Sequence, residues 1–164
     1  MVSIERTLRH LFTTGWTLRR AFDAATLQAI EQAIAATERG HGGEIRFAVE
    51  AHRGAIDLMR GVTPRDQALH AFARLGVWDT DANNGVLIYV SWADRDVEIV
   101  ADRGFNGRVS EQEWAQVCRH MEQAFARGAA RQAAVEGIHA VGALIARHFP
   151  AADRDELPNR PVLL

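Results

Sequence analysis

The run Gly85-Val86-Leu87-Ile88-Tyr89-Val90-Ser91, the short stretch Trp92-Ala93-Asp94-Arg95-Asp96 and the run Val97-Glu98-Ile99-Val100-Ala101 decide the fold. The first run is almost continuously apolar, the signature of a strand covered on both faces. The second run returns after a polar turn around Asp94 and Arg95, so the two strands pair as an antiparallel hairpin. Upstream, Glu44 to Glu50 alternates strictly and puts Ile45, Phe47 and Val49 on one face. A helical stretch separates it from Gly85, which favours a parallel, right-handed crossover. The expected architecture is an α/β domain: a small mixed sheet with helices packed on its faces.

Helix starts carry clear signals. Asp23 is placed as an N-cap ahead of Leu27, Ile30 and Ile34, in a helix that should end near Gly40, Gly42 and Gly43. Thr63 followed by Pro64 pairs an N-cap with proline at the first helical position, opening a helix through Leu75. Ser110 with Glu113 forms a capping box. A last helix runs from about Ala130 to His148, and Pro150 stops it. Around this domain, residues 22–150, lie an N-terminal segment, residues 1–21, and a tail, residues 151–164. The N-terminal segment carries an apolar stripe of Ile4, Leu8, Leu11 and Phe12, suited to docking on the domain or to lying on a membrane surface. The tail is polar and contains proline, and is expected to be loose.

The topology predicts a meeting point. The start of the second strand lies beside the end of the third, and a parallel first strand begins at the same end. The loop Asp79-Thr80-Asp81-Ala82-Asn83-Asn84, the pair Asp102-Arg103 and Glu44 should therefore converge. Asp79, Asp81, Asn83, Asn84 and Asp102 offer side-chain oxygens, the donors that hard cations such as Ca²⁺ or Mg²⁺ require, with Glu44 and Arg103 as accessory groups. The loop is not an EF-hand, because its glycine falls one place late and Val90 stands where the bidentate Glu belongs. The alternative is a solvated turn, since Asp and Asn favour turns through local hydrogen bonds.

Other chemistries are disfavoured by composition. A formal charge of −2 gives no electrostatic reason to expect nucleic acid. The chain has no Lys, which removes P-loop phosphate binding and Schiff-base catalysis, and no organic cofactor is expected. Cys118 is the only cysteine, at helical spacing with Trp114, Met121 and Phe125, and reads as a core residue. Serine occurs only at 3, 91 and 110, without a nucleophile elbow. The seven histidines lack zinc spacing, although His41 and His52 flank the first strand. Asp94-Arg95-Asp96 leads straight into the returning strand and reads as a turn rather than a phosphatase aspartate pair. The longest wholly apolar run, Val86 to Val90, is far short of the ~20 residues of a transmembrane helix. No signal peptide is visible, and a cytoplasmic protein, peripheral at a membrane if the N-terminal stripe docks there, is expected.

Taken together, Leu75-Gly-Val-Trp-Asp-Thr-Asp-Ala-Asn-Asn-Gly-Val-Leu-Ile and Asp96-Val-Glu-Ile-Val-Ala-Asp-Arg-Gly-Phe resemble the core of the TPM domain family, the thylakoid-lumen phosphatase-like domains. The likeness runs from about Phe22 to Phe149. It implies an α/β/α sandwich. Relatives often carry an Asp-Asn-Gly motif whose Asp is implicated in calcium binding, and Asn83 stands at that place; where they end the third strand with Gly-x-Gly, this chain has Asp102-Arg103-Gly104. One carboxylate is lost on the loop and another is gained across the hairpin. The chain is most similar to a short branch without signal peptide or membrane anchor, which implies a membrane-associated partner of the LemA type. Two functions follow as expectations: an accessory module with a divalent-cation site, or a phosphatase using metal-assisted water attack on phosphomonoesters with Arg103 clamping phosphate.

Overall fold

The computed structural model describes residues 15–51, 60–151 and 155–164. Along the chain run α1 (Gly15–Ala21), α2 (Ala24–Glu38), β1 (Glu44–Glu50), α3 (Pro64–Arg74), β2 (Gly85–Ser91), β3 (Asp96–Ala101), a 3-10 turn (Arg103–Phe105), α4 (Glu111–Ala126), α5 (Ala130–Ala146) and β4 (Val162–Leu163). The strands form one mixed sheet in the order β3-β2-β1-β4. β1 and β2 are parallel, with Glu44 opposite Gly85, and β2 and β3 are antiparallel, with Val86 opposite Ala101. The fold is the α/β arrangement read from the hairpin.

The predicted caps form. Asp23 accepts from the Thr26 N–H, and both Thr63 with Asp66 and Ser110 with Glu113 make reciprocal capping boxes. Each satisfies backbone donors that the first helical turn leaves unpaired. The turn between β2 and β3 closes through the Arg95 N–H on the Trp92 carbonyl, with Arg95 at φ 56.

Strand alternation sorts the core into two layers. Ile45, Phe47, Val49, Val86, Ile88, Val97 and Ile99 face α2, α4 and α5. Ala48, Leu87, Tyr89 and Val100 face α3 and the end of the chain. β2, buried along its whole length, is the strand covered on both sides. Cys118 is half-buried on α4 and packs against the larger cluster beside Trp114.

One expectation is corrected. Residues 155–164 are not loose: they run beside β1 and end in β4, which pairs in parallel with Ala48 and Val49. Leu157 is buried, and the Leu164 N–H donates to the Val49 carbonyl. The cause is non-local. The tail has no period of its own, and its hydrogen-bond partners lie 75 or more residues earlier. The apolar stripe at Ile4, Leu8, Leu11 and Phe12 and the histidine at position 52 lie outside the described residues. Among the described residues, no helix is long and apolar enough to cross a membrane.

Candidate functional site

The open end of the sheet is where the crossover and the hairpin rule place it. The Glu44 N–H donates to the Asn84 carbonyl, and the Asp102 N–H donates to the Gly85 carbonyl. The first, second and third strands therefore meet there. The polar side chains at this end divide into two groups with different surroundings.

The first group belongs to the loop before β2 and the turn after β3. Asn83 sits in the left-handed region at φ 53, a conformation that asparagine tolerates better than most residues. Its side-chain oxygen accepts from Arg103 Nε at 2.7 Å, and its carbonyl accepts from the Gly104 N–H. A Cβ on Gly104 would collide with that carbonyl, so glycine is required where the two segments touch. Asp102 caps the 3-10 turn, its Oδ1 accepting from the Arg103 N–H at 2.7 Å. Asn84 is buried and donates through Nδ2 to the Gly42 carbonyl, while Thr80 Oγ1 accepts from its N–H. Asp79 and Asp81 are exposed. Asn84 Oδ1 and Asp102 Oδ2 are buried oxygens without hydrogen-bond partners.

The second group was visible to the sequence only through Glu44. This residue is 4% exposed, and its Oε2 accepts from the Leu157 N–H at 3.0 Å. Glu38, at the end of α2, accepts from the Ile45 N–H through Oε1 at 2.9 Å. Asp155 comes from the tail. Carboxylate oxygens of Glu38, Glu44 and Asp155 lie within 4.8 Å of one another, the one such group among the described residues. They border a cavity of about 420 Å³ with Ala35, Arg39, His41 and Asn159. The Asn159 side-chain oxygen is a buried acceptor with no partner. His41, 3% exposed, accepts from the Gly43 N–H through Nδ1, and its Nε2 has no partner.

Burial and like charge set the electrostatics of this group. The Glu38 carboxyl is pushed up to about 8, first by burial and then by Glu44 and Asp155, although its bond to the Ile45 N–H pulls the other way. Glu44 is raised by burial first, with Asp155 and Glu156 adding to it. His41 is lowered by burial. The buried guanidinium of Arg46 lies near Glu38 but is bonded to the carbonyls of Pro158 and Arg160. Three carboxyl groups share this partly enclosed space with the guanidiniums of Arg39 and Arg46, and Glu38, raised to about 8, is largely protonated at neutral pH.

The sequence-expected residues are thus partitioned. Asn83, Asp102 and Arg103 meet through turn and cap hydrogen bonds, while Asn84 is bonded to Gly42, Thr80 and Glu44. Glu44 joins Glu38 and Asp155 instead. The two groups touch where the Asp81 N–H donates to the carboxylate of Glu156. Glu38 looked like an ordinary helix-end acid, and Asp155 lay in a segment without pattern. Only their distance from Glu44 in three dimensions marks them.

Among the described residues, the serine and cysteine candidates are occupied or weakened. The Ser91 hydroxyl is bonded to Asp94 and Ser110 caps α4. The Cys118 thiol is pushed up to about 12, by burial first and then by Glu122 and Glu98.

Comparisons with known proteins agree with the fold. The family model described as TPM domain matches residues 18–144. The solution structure of protein BA42 from the psychrophilic bacterium Bizionia argentinensis is 33% identical, with a TM-score of 0.75 over 86% of this chain and 94% of that one. The N-terminal domain of a protein from P. gingivalis shares the fold at 17% identity, with a TM-score of 0.63 and 82% of each chain covered. No curated protein matches the chain.

Proposed function

The chain belongs to the TPM domain family, and on that premise we propose that it is an accessory module with a divalent-cation site at the open end of its sheet, acting with a membrane-associated partner. Glu38, Glu44 and Asp155 are the ligands, and Asn159 supplies a neutral oxygen. The observation that carries this reading is the three-carboxylate group lining a cavity with the partnerless Asn159 oxygen. Hard cations take oxygen donors, and Ca²⁺ accepts carboxylates and amide carbonyls in flexible geometry. Glu38 and Glu44 each hold one oxygen on a backbone N–H, which fixes their orientation before any cation arrives. A divalent ion would favour the ionised form of Glu38 and offset its repulsion with Glu44 and Asp155, which adds to the effect of burial. The bonded serines and the weakened thiol support an accessory role over nucleophilic catalysis.

A second reading puts the cation in the loop, on Asp79, Asp81, Asn83, Asn84 and Asp102. The buried, partnerless Asn84 Oδ1 and Asp102 Oδ2 favour it. The competing hydrogen bonds of Asn83 and Asp102 Oδ1 weigh against it.

Calorimetric titration with calcium and magnesium, paired with thermal unfolding, tests both. At a hundred times its dissociation constant a cation adds about 2.7 kcal/mol of stability. Glu38→Gln should remove this gain and Asp102→Asn should keep it; the reverse result moves the site to the loop. Neither heat nor a change in melting temperature at millimolar cation would end the cation reading altogether. For the partner, the exposed Trp16, with Arg20 stacked 5.6 Å from its ring centroid, is the described group best placed to be reached. Trp16→Ala should weaken recovery of the protein with membranes from its native cells. Unchanged recovery removes Trp16 from the interface.

A further inference from the structure

The C-terminal segment is held by the same groups that border the acidic cavity. Asp155 and Asn159 belong to the segment and Glu38 and Glu44 to the body of the domain. Glu44 also takes the Leu157 N–H, Glu156 takes the Asp81 N–H, and Arg46 binds the Pro158 and Arg160 carbonyls. Beyond these polar attachments, β4 contributes only two paired residues, Val162 beside Ala48 and Leu163 beside Val49. Val162 and Leu164 pack on the smaller core cluster as partly buried groups. So short a pairing is marginal by itself, and the segment is held by its polar half together with the buried Leu157 and Pro161. That half brings the exposed Asp155 against the buried Glu44 and the half-buried Glu38.

We propose that Asp155–Leu164 is a cation-locked strap along the edge of β1. A divalent cation between Glu38, Glu44 and Asp155 joins strap to body. When the cation leaves, the repelling carboxylates loosen the strap and uncover the main-chain groups of β1, including the Val49 carbonyl that the Leu164 N–H occupies. The uncovered edge then takes an extended, parallel segment of a partner in place of β4, with apolar side chains where Val162 and Leu164 now sit. This regulation rests on the cation site proposed above.

Hydrogen exchange of the full chain, followed residue by residue in calcium and in chelator, tests the lock alongside calorimetry. The Leu157 and Leu164 amides should exchange about tenfold faster in chelator, while amides of β2 keep their protection, because local opening leaves the core closed. In Glu38→Gln the exchange of the strap should no longer respond to calcium. Glu31→Gln, exposed on α2 and not among the residues bordering the cavity, should respond like the parent. Calcium binding by calorimetry with unchanged strap exchange overturns the lock and leaves the site standing. No binding of calcium or magnesium overturns both. The edge is probed with a labelled peptide of residues 155–164: uptake in chelator and exclusion in calcium is the expected result. Equal uptake in the two conditions, or none in chelator, overturns the exposed edge.

Discussion

Two groups of acids and amides stand at one end of the same sheet, yet they differ in what their oxygens do. In the loop group, Asn83 and Asp102 turn and cap the chain, and Asp79 and Asp81 face solvent. In the tail group, Glu38 and Glu44 are held on backbone N–H donors and sit close to a third carboxylate. The loop is the richer in Asp and Asn, whereas the tail group holds the buried carboxylate, Glu44. On the proposed reading, burial is therefore a better guide to the cation site than density of acidic residues in sequence. Exposed carboxylates such as Asp79, Asp81 and Asp155 are already solvated, whereas the buried Glu44 would gain from a cation that replaces the water it lost.

The contrast is broken most directly with the cation itself. At saturation, Glu44→Gln should forfeit most of the about 2.7 kcal/mol that calcium adds, and Asp79→Asn with Asp81→Asn should forfeit none. Retained stabilisation in Glu44→Gln, measured by thermal unfolding, would erase the distinction. Acidity sharpens the same point. A carboxyl raised from 4.5 to about 8 on folding contributes its full stability below pH 4.5 and loses it as pH climbs towards 8. In chelator the protein should weaken across that window, and calcium should flatten the profile, as followed by denaturant unfolding at a series of pH values.

Smaller effects belong to the loop. Gly104→Ala should cost about 1–3 kcal/mol, because the added methyl meets the Asn83 carbonyl and the two segments must separate. Asn83→Ala should cost about 1 kcal/mol through the left-handed backbone, whereas Asn83→Gly keeps the turn and loses only the bond to Arg103. In all three variants the calcium response should persist. A loop variant that lost it while remaining folded would bring the second reading forward.

Much of the fold was legible because its signals are local. The apolar run at Gly85–Ser91 and the alternation at Glu44–Glu50 coincide with β2 and β1, and the caps at Asp23, Thr63 and Ser110 open helices where they were placed. Simple pairing rules were enough to bring Glu44, Gly85 and Asp102 to one end. The site was only partly legible, for the opposite reason. Glu38 points nowhere in particular until the end of α2 is packed beside β1, and Asp155 acquires neighbours only when the tail docks. The tail misled because Pro158 and Pro161 look like markers of a mobile end. Here they lie in a stretch whose carbonyls are claimed by a buried arginine across the sheet.

The half-buried Cys118 has a practical consequence. With its acidity held near 12, almost none of it is thiolate at neutral pH, and thiolate is the form that alkylating reagents attack. The parent protein should therefore be nearly blank towards maleimide dyes. A single new cysteine on the exposed Leu163 would become its sole fluorescent handle, and the strap could be watched in solution without first rebuilding the molecule.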